Sequence, residues 1–144
     1  MGKIYTALGL MSGTSMDGVD ASIIKSDGDR EYSIKMDEYF EYGGELRQKL
    51  INIRKKVLVI DDLKTHSDEI KSLEKEITLF HANAVNKILE TSKIEIDLIG
   101  FHGQTIFHDP SINITKQLGD GNMLSQLTKK LVVYDFRQND LKNG

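Results

Sequence analysis

One stretch limits the possible folds more than any other. Between residues 67 and 90, Ile70, Leu73, Ile77, Phe80, Ala84 and Ile88 recur at helical spacing and share one face. Asp68 and Glu69 stand in the first turn and Lys87 near the end, as the helix dipole favours. A helix of this length spans roughly 35 Å. Its one apolar face has to be buried against other elements.

The residues before it read as strands. Residues 4–11 are a compact apolar run. After a Gly-rich turn, Val19, Ala21 and Ile23 alternate with Asp20, Ser22 and Ile24, up to Lys25. Ser26-Asp27-Gly28-Asp29 is turn chemistry. Tyr32, Ile34 and Met36 then alternate with Ser33 and Lys35. Three strands joined by short turns predict an antiparallel meander. Gly43-Gly44 ends it, and Leu46, Leu50, Ile53 and Val57 predict a first helix.

Beyond the long helix, residues 94–101 predict a buried strand ending at His102-Gly103-Gln104-Thr105. Ile112 and Ile114 alternate with Asn113 and Thr115, which predicts a short strand to Leu118. Gly119-Asp120-Gly121-Asn122 turns the chain. Asn122 is the expected cap of a helix through Lys130. Residues 131–134 form a β-rich run that leads into Asp135, Phe136 and Arg137. A meander followed by helices alternating with strands is an α/β or mixed α+β pattern.

Composition excludes several functions. The 144 residues fit one domain with a real core. The net charge is −3, with 19 basic and 22 acidic residues spread throughout, so no basic stripe predicts a nucleic-acid partner. The chain has no cysteine. That removes disulfides, thiol catalysis and cysteine zinc sites, and suits a reducing compartment. No apolar run approaches the roughly 18 residues of a membrane span. Residues 4–11 are too short for a secretory leader and lack a cleavage site, so they are expected to be a strand. The same reading outweighs the myristoylation pattern at Gly2 and Thr6, since no polybasic anchor is nearby. The sequon Asn113-Ile114-Thr115 matters only in a secreted protein.

Three polar clusters are candidates for chemistry. In the first, Gly13 and Gly18 permit positive φ, and the Thr14 and Ser15 hydroxyls with nearby backbone N–H groups suit a phosphate. Asp17 and Asp20 are oxygen donors suited to Mg²⁺, through water. The spacing imitates half of a P-loop, but Val19 and Asp20 stand where Lys and Ser/Thr belong, and a strand follows. A plain hairpin turn is the competing reading. In the second, His102, Gln104 and Thr105 stand at a strand end and offer donors and acceptors for sugar hydroxyls. The alternative is a histidine satisfied by local backbone. His108-Asp109-Pro110 reads as a turn, and the two histidines have no zinc spacing. The third cluster is Asp135 and Arg137 with Asp140. It suits a sugar hydroxyl or an anion, or equally a surface ion pair.

Taken in order, these pieces resemble a known family. Gly9-Leu10-Met11-Ser12-Gly13-Thr14-Ser15-Met16-Asp17-Gly18-Val19-Asp20 is similar to the opening signature of the anhydro-N-acetylmuramic acid kinases. His102-Gly103-Gln104-Thr105 with His108 and Pro110 resembles the second. Gln117-Leu118-Gly119-Asp120, and residues 133–137 with Asp140, resemble the third and fourth. The resemblance covers essentially the whole chain, although residues 26–93 carry no recognised motif.

The resemblance implies membership of the actin, hexokinase and Hsp70 superfamily. The expected fold class is α/β, an actin-like ATPase (ribonuclease H-like) domain. Its mixed sheet starts as an antiparallel meander and is flanked by helices. The implied reaction uses ATP and Mg²⁺ to open the 1,6-anhydro ring of anhydro-N-acetylmuramic acid with water and to phosphorylate O6. That is a step of cell-wall recycling in the bacterial cytoplasm. Residues 13–20 (Gly13, Thr14, Ser15, Met16, Asp17, Gly18, Val19 and Asp20) become the ATP loop. His102, Gln104 and Thr105 face the sugar side of the cleft, and Asp135 and Arg137 stand near the crossing into a second domain. One departure from the wider superfamily is Met11, which stands where its first phosphate loop usually has Asp.

Length is the larger departure. Family members are more than twice as long and carry their catalytic base beyond the position of Gly144. Residues 1–144 are therefore expected to be the amino-terminal domain of a two-domain sugar kinase, with the second domain missing and no catalytic base. The expectation is no kinase activity from this chain alone. The alternatives are a non-catalytic nucleotide- or sugar-binding remnant and one half of a two-chain kinase. A bared face predicts self-association or a separate carboxy-terminal partner.

Overall fold

The computed structural model describes residues 3–27 and 32–134. Its opening is the meander the alternation predicts. Strand β1 (Tyr5–Met11) pairs antiparallel with β2 (Gly18–Ser26), and β2 with β3 (Tyr32–Glu41). Leu8 and Leu10 on β1 and Val19, Ala21 and Ile23 on β2 all point into the core.

Helix α1 (Gly44–Lys56) buries Leu50 and Ile53, two of the four residues whose spacing predicts it. A short helix, α2 (Ile60–Thr65), follows where the sequence gives no periodicity. The Asp62 carboxylate makes it, accepting from Leu58 N at 2.9 Å and Val59 N at 3.0 Å. Those bonds also lower the Asp62 pKa. Helix α3 (Ser67–Ser92) is the long amphipathic element. It ends in a left-handed cap at Lys93 rather than at a glycine.

The predicted strand at 94–101 is shorter than expected. Strand β4 is Leu98–Phe101. Asp97 locks its entry to β1: its N–H donates to Thr6 O at 2.7 Å, and its carboxylate accepts from Thr6 N at 2.8 Å. The peptide after β4 does not stop at a polar loop. Gly103, at φ +81, turns the chain into another strand, β5 (Gln104–Asp109). A 3₁₀ turn at Pro110–Ile112 leads to β6 (Ile114–Leu118), antiparallel to β5.

Helix α4 is Gly121–Thr128, and its cap is Asp120, not Asn122. The Asp120 carboxylate reaches Met123 N at 3.0 Å, whereas Asn122 already lies within the first turn. The helix stops short of Lys130 because Lys129 adopts φ +57. Strand β7 (Leu131–Tyr134) completes a five-stranded sheet of order β3-β2-β1-β4-β7. Strands β1, β4 and β7 are mutually parallel. The result is an α/β fold with a mixed sheet. Leu50, Ile53, Ile70, Leu73, Ile77 and Ile88 from α1 and α3 close one core with the strands. No described helix is long and apolar enough to cross a membrane.

Candidate functional site

Loops that leave parallel strands emerge on the same side of a sheet. Strands β1, β4 and β7 run the same way, so the segment after Met11 and the segment after Phe101 leave one common edge. In open α/β sheets that edge is where ligands bind. Asp135, Arg137 and Asp140 come after β7 but lie outside the described residues.

The first segment, residues 12–17, is a tight turn in which the Gly13, Thr14 and Asp17 carbonyls are tied to the protein. Gly13 O accepts from Met16 N at 3.3 Å and from Gln104 Nε2 at 3.0 Å. Thr14 O accepts from Arg54 Nη1 at 2.6 Å. Asp17 O accepts from Tyr42 N at 2.8 Å, and its carboxylate meets Arg47 Nε at 3.1 Å. A trans peptide points its N–H opposite its C=O. Tying Gly13 O and Thr14 O therefore turns the Thr14 and Ser15 N–H groups the other way. Among the described residues neither N–H has an acceptor, and both side chains are exposed. Outward amides beside two exposed hydroxyls are a donor set that suits an anion.

The glycines do not act as expected here. Neither Gly13 nor Gly18 takes positive φ. Met16 does, at φ +60, with its side chain buried in the core. Gly18 is needed for space, because a Cβ there would collide with the backbone of Phe40 and Glu41 in β3. Val19 is core.

Neither aspartate presents a direct metal site. Asp17 is paired with Arg47. Asp20 lies on the exposed side of β2; its hydrogen bond to Asp37, burial and the like charge of Asp37 raise its pKa, while hydrogen bonds from Asp20 and Ser22 lower that of Asp37. Among the described residues no three His, Asp or Glu side chains converge. The donor set does not fit a cation held by protein atoms.

Gln104 lies behind the loop. It is fully buried, with Nε2 on Gly13 O and Oε1 accepting from Tyr42 Oη at 3.2 Å. Tyr42 Oη is also 3.1 Å from Ser12 Oγ, which is 3.4 Å from His81 Nε2. His81 Nδ1 stands 2.7 Å from Ile77 O on α3. Burial pushes the Tyr42 phenol up to about 12 and the His81 imidazole down to about 4. Sequence reading missed both residues. The signals were there: His81 falls on the apolar face of α3, four residues after Ile77, and Tyr42 directly precedes the Gly-Gly break.

His102 and Thr105 point elsewhere. His102 is half-buried, donates Nδ1–H to Gly103 O at 3.0 Å, and lines a small recess with Phe101, Gln117, Gly119 and Tyr134. Thr105 Oγ1 accepts from Gln117 Nε2 at 3.2 Å. The recess shares Gln117, Gly119 and Tyr134 with a polar cleft of about 290 Å³ that also exposes Glu74, Lys116 and Asp120.

The family model for anhydro-N-acetylmuramic acid kinase matches residues 5–144. The chain belongs to this family. A relative in Pelagibacter ubique named anhydro-N-acetylmuramic acid kinase is 56% identical over all of this chain, which spans 38% of that protein. Relatives of the same name in Agrobacterium fabrum and Brucella canis are 40% and 39% identical, and the chain spans 39% of each. The chain thus spans about two fifths of the length of the curated relatives it matches.

Proposed function

We propose that this chain forms the phosphate-binding part of an ATP-dependent kinase that opens and phosphorylates 1,6-anhydro-N-acetylmuramic acid, in cell-wall recycling in the bacterial cytoplasm. The observation that carries this is the sorted polarity of residues 12–17. The Gly13, Thr14 and Asp17 carbonyls are tied to the protein, while the Thr14 and Ser15 N–H groups have no acceptor among the described residues and their side chains are exposed. Such a loop binds phosphate through fixed dipoles. Gly13, Thr14 and Ser15 would contact the phosphates. Mg²⁺ would enter with the nucleotide, and its waters rather than its inner shell would meet Asp17. ATP supplies the transferred phosphoryl group. The sugar would occupy the cleft beside His102; Asp135 and Arg137, outside the described residues, are the further substrate-binding candidates.

Phosphoryl transfer depends on positioning and on exclusion of water by a closed site. The catalytic base is assigned to the part of the relatives that this chain does not span. Titration of the chain with Mg-ATP, followed by amide NMR, is expected to shift Thr14 and Ser15 first. Turnover of anhydro-N-acetylmuramic acid is expected only when the remaining three fifths of the Pelagibacter relative is added as a second chain. Absence of saturable Mg-ATP binding, or turnover by this chain unaided, would sink the proposal.

A further inference from the structure

The four buried polar side chains behind the loop have too few protons for their contacts, and the count fixes a direction. Ile77 O is a carbonyl and can only accept, so His81 Nδ1 carries a proton. Burial keeps the ring neutral near pH 7, so Nε2 has none. At the other end Gly13 O also only accepts, which fixes Gln104 with Nε2 towards the loop and Oε1 towards Tyr42. Oε1 therefore takes the single phenolic proton of Tyr42. The Ser12 proton is left to serve either Tyr42 Oη at 3.1 Å or His81 Nε2 at 3.4 Å. Two hydroxyl protons cover three contacts. The contact without a proton falls at the Ser12 hydroxyl, not at Gln104.

We propose that Tyr42 and Gln104 are positioning residues of the phosphate loop. The Gln104 amide has its sense fixed by the Gly13 and Thr105 carbonyls and its oxygen held by the Tyr42 hydroxyl, and so held it turns the Gly13–Thr14 peptide so that the Thr14 N–H faces the ligand. This deepens the proposed phosphate-loop function and rests on it. The buried Gln104 amide has one orientation that works. Reversed, its oxygen would face Gly13 O and repel it, and its NH₂ would face the Tyr42 oxygen. Without the phenolic proton the amide oxygen loses its donor. Ser12 and His81 act differently. They brace the far end of the chain on α3, and their loss leaves the Tyr42-to-Gln104 bond in place.

The test uses this chain and three variants, Tyr42→Phe, Gln104→Glu and Ser12→Ala. Three quantities are read: urea unfolding, hydrogen exchange of the Met16 amide that bonds Gly13 O, and Mg-ATP affinity. Tyr42→Phe keeps the ring and its edge contact with Phe80. It is expected to speed Met16 exchange by about tenfold beyond any global loss of stability, and to weaken Mg-ATP about fivefold, as loss of one buried hydrogen bond implies. Gln104→Glu retains the acceptor but places a carboxylate oxygen against Gly13 O, so both effects are expected to be larger. Ser12→Ala is expected to lower stability while Met16 exchange follows global unfolding alone. If Met16 exchange follows global unfolding in all three variants, the positioning role is overturned. Should Tyr42→Phe not fold, Gln104→Glu against Ser12→Ala decides by the same comparison. If the parent chain binds no Mg-ATP, the phosphate-loop function fails, while the Met16 measurement still decides whether Tyr42 orients the peptide.

Discussion

Helix α3 stands behind two Gly-Asp turns and holds them in opposite ways. Towards residues 12–17 it presents His81, the anchor of a chain of buried side chains that ends on Gly13 O. Towards residues 118–121 it presents Glu74 and Thr78, which accept directly from Gly119 N at 3.2 Å and Asp120 N at 3.0 Å. The first turn is shaped by side chains converging from α1, α3, β5 and Tyr42, and its one glycine, Gly13, does not take positive φ. The second is shaped by the bulk its glycines lack. A Cβ on Gly119 would enter the Phe101 ring, one on Gly121 the Tyr134 ring, and one on Gly103 would lie 2.5 Å from Leu118 O. Similar composition thus yields one loop held by long-range partners and one held by close packing. The first can move when a partner is removed. The second tolerates no added atom.

The largest effect is expected where a close backbone contact and a left-handed φ coincide. Gly103→Ala places a methyl against a backbone oxygen that cannot swing away, at φ +81, where alanine is itself strained. Overpacking and backbone strain together suggest a loss of about 4 kcal/mol. Urea unfolding measures it. A loss below about 1 kcal/mol would mean the β4–β5 turn is not rigid.

The side-chain-held loop is sensitive to protons instead. The folded protein holds His81 near pKa 4, below the ordinary 6.5. Between those values the unfolded chain binds the extra proton and the folded one does not. The stability is fully present above about pH 6.5 and is lost as pH falls towards about 4, to a total of about 3 kcal/mol. Carboxylates titrate in the same window, so the measurement is a difference. His81→Gln should remove close to one proton from the pH slope of unfolding. Equal slopes in the two proteins would show that the histidine is not buried neutral.

A smaller loss is expected from the solvent side of the same loop. Arg54 donates to Thr14 O from an exposed position on α1. Arg54→Ala should cost about 1 kcal/mol, since the bond is charge-assisted but screened. Thr14 and Ser15 amide resonances should broaden as the turn samples other shapes. Sharp, unshifted resonances would show that α1 does not hold the loop.

The sequence made this contrast only half visible. Helix α3 was legible because its apolar period persists through many turns. The meander was legible because Val19, Ala21 and Ile23 keep strict alternation. Strand β5 was not. Its start looks like a ligand-binding loop, and its strand character comes from pairing with β6 and from the Gly103 turn, neither of which is local. Gln104 was misleading for a related reason. A glutamine beside a glycine at a strand end looks like a group for sugar hydroxyls, but its partners, Gly13 and Tyr42, are 91 and 62 residues away. Gly13 and Gly18 suggested special backbone angles that fell to Met16, because turn type depends on how the two strands are joined and not on composition alone.

Gly13 gives the smallest expected change in stability and the cleanest separation of the two turns. A Cβ added there meets nothing nearer than Ser15 Oγ, at 3.7 Å. Its backbone angle is one that alanine adopts freely. Gly13→Ala should therefore leave the fold intact and shift unfolding by no more than about 0.5 kcal/mol, in the stabilising direction, because alanine restricts the unfolded chain. The open space around that methyl is the space proposed for a phosphate. The same variant should weaken Mg-ATP binding although its thermal unfolding hardly changes. A glycine kept for ligand access shows this split, whereas Gly103, kept for packing, loses stability first. Unchanged Mg-ATP affinity in Gly13→Ala would place the phosphates further along the turn, at the Thr14 and Ser15 hydroxyls.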